Sequence, residues 1–387
     1  MIPTAVISAR GEDRLRRGHP WIYRTDVADV AADPGAVVEV LGPRQRFLGR
    51  AMYSDSSQIS LRLLTHGEEE IDESFWRARI EAAIEFRRSL TIDATAYRLI
   101  HAEADLLPSL VVDRYADVLV VQALSQGMNQ LLPTLLPWLV ELTGATGVLA
   151  RNDPRVRLLE GLDQRVEVLY GEVPERIVVR EGPVQYSVDP RLGQKTGLFL
   201  DQRENREAAA QYARGRLLDC FSYNGGFALR LANRCDQVEA LDISSDAVAH
   251  INENAAQNRL SNVVAREANV FDELRRLEKN GDRFEMIVLD PPAFAKNKAA
   301  VPKAMAGYKD INLRALRLLA PGGYLVTCSC SYNIDEATFA HIVYDASVDA
   351  HVPVTVVEKR MQGRDHPVLL GVPETYYLKC LILRRAV

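Results

Sequence analysis

Residues 217–232 read LLDCFSYNGGFALRLA, and the architecture follows from how this stretch folds. Leu217 and Leu218 open a buried strand that ends in an acid, Asp219. Asn224-Gly225-Gly226 supply a turn, and an amphipathic helix is expected from Phe227. A second apolar run, 238–241, also ends in an acid, Asp242. This is a βαβ unit with a cofactor crevice at its carboxyl edge. A dinucleotide site wants G-x-G-x-x-G, so that a helix N-terminus can approach a pyrophosphate. Here Gly225 and Gly226 have no third glycine at that spacing, and Phe221, Ser222, Tyr223 and Asn224 would crowd a pyrophosphate. S-adenosylmethionine (SAM) has no phosphate. It needs close backbone approach for its methionine part and a carboxylate for its ribose hydroxyls. Asp242 lies 242 − 219 = 23 residues beyond Asp219, where a ribose-binding acid belongs. The bland alternative is an α/β turn that holds no nucleotide.

Further on, Ser244-Ser245-Asp246 is expected to cap a helix over 247–258, with Ala247, Ile251 and Ala255 on one stripe. A third strand, 263–265, leads to Asn269. That side chain is a candidate for the adenine amino group; as a plain reading it caps the next helix. Residues 286–289 form a continuous apolar run, a central parallel strand. It stops at Asp290-Pro291-Pro292, because proline cannot continue the ladder, and Asp290 projects into the crevice. A helix over 310–319 precedes a strand, YLVTCSCS, that carries Cys328 and Cys330 at its carboxyl end. Residues two apart in a strand share a face, so both thiols face the core or both face the site. Proximity to the loop favours Cys330. Strands over 354–357 and 376–382 complete a seven-stranded sheet.

The chain has 387 residues, 47% hydrophobic and 26% charged, as expected of a soluble globular protein of two or three domains. No apolar run reaches transmembrane length, the N-terminus does not read as a signal peptide, and a cytoplasmic location is expected. Five cysteines without a C-x-x-C pair argue against a disulfide framework and against structural zinc; no metal site is expected. A net charge of −5 excludes a protein that coats nucleic acid through bulk charge, but allows a local basic patch. Residues 1–73 read as a small β-rich module. Arg14, Arg16, Arg17, His19 and Arg24 are concentrated there around Trp21 and Tyr23, a pattern suited to phosphates and unpaired bases. Glu12, Asp13 and Asp26 dilute that field. Residues 74–183 read as a mixed α/β domain that opens with an amphipathic helix over 74–90. Its His101, Glu103 and Asp105 read as a polar loop rather than a metal cluster. Residues 184–387 carry the SAM unit.

Taken together, RRGHPWIY, AEADLLPSLVVDRY, KTGLFLDQREN, FSYNGGFAL, LDPPAF, GYKDIN, CSCS and RDHP resemble the PUA-domain class I methyltransferases that make 5-methylcytosine in bacterial large-subunit ribosomal RNA. The resemblance covers nearly the whole chain. It implies a PUA-like β-barrel, a mixed α/β middle domain and a Rossmann-like methyltransferase domain. It also implies SAM as cofactor at Phe221, Tyr223, Gly225, Asp242 and Asn269, and Cys330 as nucleophile, since the family's cysteine follows a serine. Asp219, Asn224, Gly226, Ile243 and Gln202 complete the candidate cofactor set. Expected partners are large-subunit ribosomal RNA and no membrane, with a homodimer left open. The chain departs from the family pattern at Asn269, where an acid is common, and at Ala293, where a lysine is common.

The chemistry asks for a thiol independently. Cytosine C5 is a poor nucleophile, and thiolate addition at C6 turns the ring into an electron-rich enamine. Asp290 would bind N3 or the amino group. Two-cysteine RNA methyltransferases carry a second cysteine after the proline of this turn. Ala293 stands there, so product release is not expected to use a second thiol from that loop. Two other readings compete: an RNA base N-methyltransferase that uses the DPPAF turn on an exocyclic amine, and an RNA-binding assembly factor with a vestigial SAM fold.

Overall fold

The computed structural model describes residues 2–295 and 297–387. The chain forms two compact units, each assembled from separated stretches. One is Met1–Val179, Val188–Gly197 and Asp365–Thr375; the other is Arg180–Ser187, Leu198–Arg364 and Tyr376–Val387.

The first unit holds two sheets. Six short strands pair in the order Trp21–Tyr23, Ile59–Thr65, Phe47–Tyr53, Val37–Leu41, Thr4–Ile7, Val27–Val30. Five more pair in the order Arg165–Gly171, Gly147–Asn152, Val118–Ala123, Leu110–Tyr115, Ala96–His101. Helix Glu73–Ser89 starts where Asp72 accepts the Phe75 N–H at 3.0 Å, and it buries Trp76, Ile80 and Ile84 on one stripe. Those side chains share a core with Leu99, Val112 and Leu135. One element departs from the β-rich expectation for the N-terminal module. Ala9–Arg16 is a helix, capped by Ser8 through the Gly11 N–H and seated on buried Gly11 and Leu15. Arg16 and the C-cap Arg17 stand four residues after Glu12 and Asp13, and Arg10 and Arg14 pair with Asp26, so charges that read as a patch in sequence are spent on neighbouring acids.

The second unit is built on the expected seven-stranded sheet. Its order is Val263–Glu267, Gln237–Asp242, Arg216–Cys220, Phe284–Leu289, Leu319–Ser329, Lys379–Arg385, Val354–Met361. The first five strands are parallel, the sixth runs antiparallel to them, and the seventh runs antiparallel to the sixth. The strand order reverses direction between Arg216–Cys220 and Phe284–Leu289. Cys220 is in register with both Leu241 and Leu289, so the three carboxyl ends finish level. A ligand crevice belongs at that switch point. Met286, Ile287, Val288 and Leu289 have no exposed surface, which explains the unbroken apolar run.

The helix expected over 310–319 is longer, Val301–Leu318. Pro302 fits its first turn, where no N–H partner is required. Gly307 lies within it; a Cβ there would touch the Phe294 ring at 3.4 Å. The segment Asp365–Thr375, which includes the RDHP residues after Arg364, groups with the first unit rather than with the second. Asp365 accepts the Arg98 N–H at 2.9 Å there, and its carbonyl accepts from the buried Arg87 guanidinium at 2.8 Å. Among the described residues, no helix is long and apolar enough to cross a membrane.

Candidate active site

The turn after Arg216–Cys220 is strained and held by two acids. Phe221, Tyr223 and Gly225 have φ of 63°, 51° and 84°. For the two aromatic residues this left-handed backbone costs about 1–2 kcal/mol each. Asp242 Oδ2 accepts the Tyr223 N–H at 2.8 Å, and its Oδ1 accepts the Ser244 N–H at 3.0 Å. Asp219 Oδ2 accepts the Ser222 hydroxyl at 2.5 Å and the Ala228 N–H at 2.9 Å. The Leu241 carbonyl accepts Ser222 N–H at 2.9 Å. The acids that end the two strands therefore fold the turn before they meet any ligand.

Both acids keep capacity in reserve. A carboxylate has about four lone-pair sites, and Asp242 spends two on backbone N–H groups, which leaves room for a pair of hydroxyls. Asp219 is 1% exposed, and its Oδ1 is buried with no hydrogen-bond partner. Burial pushes its carboxyl up to about 7, and the Ser222 and Ala228 hydrogen bonds only partly oppose this. An orphaned buried carboxylate oxygen beneath a backbone cradle fits a cofactor that carries positive charge, as SAM does on its sulfonium and ammonium.

Asn224 is nearly buried, and its carbonyl faces the Asn254 amide at 3.4 Å. The Gly226 carbonyl accepts the Tyr186 hydroxyl at 3.2 Å. Ile243 is 69% exposed. Asn269 caps helix Val270–Asn280, its Oδ1 accepting the Phe271 N–H at 3.0 Å. Gln202 is placed against the D-P-P acid: its Nε2 donates to Asp290 Oδ1 at 2.8 Å, while its Oε1 accepts from Asn205 at 2.7 Å.

The two cysteines occupy different environments. The strand ends at Ser329, so the alternation that would pair Cys328 with Cys330 stops between them. Cys328 is wholly buried opposite Cys380 on the neighbouring strand. Contact with that thiol, and burial, push its own thiol far up, so it stays protonated. Cys330 is half-buried, and its Sγ lies 3.8 Å from the Pro291 carbonyl of the D-P-P turn. Cys220, Cys235 and Cys380 are buried.

Tyr308, Ser329 and Ser331, which lie within GYKDIN and CSCS but were not candidate site residues, flank Cys330, and Lys379 lies outside every quoted stretch. Ser329 donates to the Tyr308 hydroxyl at 3.1 Å, and the same hydroxyl meets Ser331 Oγ at 3.0 Å. Ser331 Oγ also accepts the Ala295 N–H at 3.2 Å, which ties the D-P-P loop to the cysteine segment. Phe294 packs against Tyr308 at 4.6 Å between ring centroids, and Phe271 and Phe221 extend the aromatic group towards the SAM turn. Lys379, 2% exposed, donates from Nζ to the Ser331 carbonyl at 2.7 Å and the Tyr377 carbonyl at 2.9 Å.

In the N-terminal module, the basic residues are mostly paired. Arg14 lies near Asp26 at 3.8 Å, Arg16 near Glu12 at 2.7 Å and Arg17 near Asp13 at 3.0 Å. Arg46 also pairs with Glu12. Trp21 is half-buried, its indole N–H donating to Glu103 at 3.2 Å. Asp105 pairs with Arg87, and the His101 ring faces Arg98, so the loop that offered His101, Glu103 and Asp105 is internally engaged. No metal-ligating group of residues occurs among the described residues.

Comparison with known proteins identifies the family and the fold. The S-adenosylmethionine-dependent methyltransferase family matches residues 98–371, and the PUA-like domain family matches residues 6–66. A relative in Aeromonas hydrophila named ribosomal RNA large subunit methyltransferase I is 42% identical over 98% of this chain and 98% of its own length. One of the same name in Tolumonas auensis is 40% identical over 99% of this chain and 100% of its own. Among solved structures, a protein described as a methyltransferase and complexed with SAH superposes with a TM-score of 0.86 at 21% identity, over 99% of this chain and 100% of that one. A SAM-dependent methyltransferase from Streptococcus mutans gives 0.84 at 20% identity with the same coverage. At that identity the likeness speaks for the fold. The chain belongs to the S-adenosylmethionine-dependent methyltransferases that carry a PUA-like domain, the family that includes the proteins named ribosomal RNA large subunit methyltransferase I, and its cofactor is SAM.

Proposed function

We propose that this protein methylates C5 of a cytosine in large-subunit ribosomal RNA through a covalent adduct between Cys330 and C6. The observation that carries this reading is the position of Cys330. It is a half-buried thiol at the open end of a crevice strand, against the Pro291 carbonyl of the D-P-P turn, while the other four cysteines are buried. The names of the relatives support ribosomal RNA as substrate.

In this reading the Cys330 thiolate adds to C6 and moves the ring's electron density to C5. Bound SAM supplies an electrophilic methyl group. Asp290, oriented by the Gln202 amide, hydrogen-bonds the N3 edge or amino group of the base and stabilises the adduct. Loss of the C5 proton then lets the thiolate leave. Asp219, Asp242 and the turn from Phe221 to Gly226 hold the cofactor, with Ile243 and Asn269 at its rim. The Tyr308, Ser329 and Ser331 hydroxyls hold the Cys330 backbone. Cys328 remains a protonated core residue.

RNA carrying 5-fluorocytosine at the target tests the adduct, because fluorine cannot leave as a cation. The wild type should be trapped covalently. Cys330→Ala should lose both trapping and turnover while still binding SAM, and Cys328→Ala should keep both. Continued methylation by Cys330→Ala would remove the C5 mechanism and leave the N-methyltransferase reading of the DPPAF turn.

A further inference from the structure

A nucleophilic thiol needs help, since free cysteine titrates near pH 8.5 and only the thiolate attacks. The acids near Cys330 offer none. Asp290 lies across the D-P-P turn and Asp335 follows four residues after Ser331, and both would disfavour a second negative charge. Tyr308 is neutral, its phenol pushed up by burial. On the other side lies Lys379, from the antiparallel strand Lys379–Arg385, in register with Ser329. Its Nζ is buried on the Ser331 carbonyl, one peptide beyond Cys330.

We propose that Lys379 is a positioning residue that keeps Cys330 in its thiolate form by holding an ammonium charge beside it. The proposal rests on Cys330 being the nucleophile. Among the described residues, the buried Lys379 Nζ has two carbonyl acceptors and no carboxylate in hydrogen-bond contact, so no ion pair at contact accounts for a charge there. Its charge interacts with the Cys330 thiol and with Asp335. Burial brings Lys379 down to about 8, and the attraction of Cys330 and Asp335 holds it from falling further. The ammonium therefore persists at neutral pH. The thiol proton passes to solvent, the lysine keeps its own, and the pair is oppositely charged when the base arrives. No bond is made or broken at Lys379. Two of its N–H groups are fixed on carbonyls, which prevents the charge from swinging out to water. One of these hydrogen bonds fixes the peptide next to the cysteine, at Ser331, and the other folds the lysine back on its own segment, at Tyr377.

The pH dependence of Cys330 alkylation by iodoacetamide, followed by peptide mass mapping, tests this without substrate. In Lys379→Met the alkylation midpoint should rise by about one pH unit, with roughly tenfold slower labelling at pH 7. Lys379→Arg should restore most of the wild-type profile. SAM calorimetry on each variant checks that the unit is folded. Reciprocity supplies a measurement that needs no lysine variant. The Lys379 Cε resonance should titrate at lower pH in Cys330→Ala than in the wild type. An unchanged alkylation profile in a folded Lys379→Met, or identical Lys379 midpoints with and without Cys330, overturns the proposal. Loss of 5-fluorocytosine trapping is read separately. If the alkylation profile shifts but wild-type protein is never trapped, the thiolate pair stands and the cytosine C5 reading fails.

Discussion

Tyr308 and Ser331 meet hydroxyl to hydroxyl at 3.0 Å, and the same phenol accepts from Ser329 at 3.1 Å. One side chain from helix Val301–Leu318 thus grips the chain on both sides of Cys330. Ser329 and Ser331 have no exposed surface, so water cannot replace that phenol. Tyr308→Phe should cost about 1–3 kcal/mol of stability, the range for buried polar groups that lose a partner. Turnover should fall while SAM affinity holds. Urea unfolding and SAM calorimetry on the variant would show it, and undiminished stability would mean that the three hydroxyls are not coupled.

Asp242 receives the Tyr223 and Ser244 N–H groups and has lone pairs to spare. Asp242→Ala should weaken SAM binding by about 1.5–3 kcal/mol, as for loss of a charged acceptor. The left-handed turn at Tyr223 loses its anchor in the same variant. Calorimetry that found equal affinity would move the cofactor pocket elsewhere.

Asp219 gives a pH signature. In the native state its proton stays on up to about 7, whereas an unfolded aspartate releases it near 3.9. Between those values the native state binds more protons than the unfolded state, so stability contributed by this group is lost as pH rises through that window. Asp219→Asn should flatten the slope in urea unfolding between pH 5 and 7. SAM brings positive charge towards the carboxyl and should expel its proton. Binding enthalpies at pH 6 should then vary with the ionisation heat of the buffer. Buffer-independent enthalpies would argue that the carboxyl and the cofactor do not interact.

Much of the second unit is legible in sequence because its strands are apolar runs that stop at an acid or a proline: Asp219, Asp242, Asp290-Pro291. The capping serine at Ser244 is likewise local. What was not legible depends on partners distant in the chain. Cys328 and Cys330 look equivalent under period-two alternation, and only the strand's end at Ser329 separates them. Lys379 reads as one more residue of an apolar strand, and its partner Ser331 lies 48 positions away. Residues 301–309 mix lysine, alanine, proline and glycine without a clear stripe, so the first half of helix Val301–Leu318 went unread. In the N-terminal module, Arg16 and Arg17 prove to be paired with acids one helical turn away, and Arg14 with Asp26 beyond the helix.

Those pairings set the expectation for the arginines. The Arg17–Asp13 pair is exposed on both sides, and such pairs are worth about 0–1 kcal/mol, so Arg17 can trade Asp13 for a phosphate at little cost, while Glu12 keeps Arg46 when Arg16 turns to one. Replacing Arg14, Arg16 and Arg17 together should weaken RNA binding and flatten its dependence on salt, with SAM affinity unaltered. A salt slope equal to that of the wild type would return the module to a purely structural role.

The interleaving of the two units along the chain constrains how the protein is made. The first unit needs Asp365–Thr375 and the second needs Tyr376–Val387, so neither is complete when Arg364 has been made. Until Asp365 arrives, the Arg98 N–H and the buried Arg87 guanidinium lack acceptors that the finished fold supplies. Folding therefore cannot proceed vectorially, domain by domain, during synthesis. The nascent chain must wait for residues 365–387. A truncation just after Arg364 should leave both halves protease-sensitive, rather than one intact and one lost.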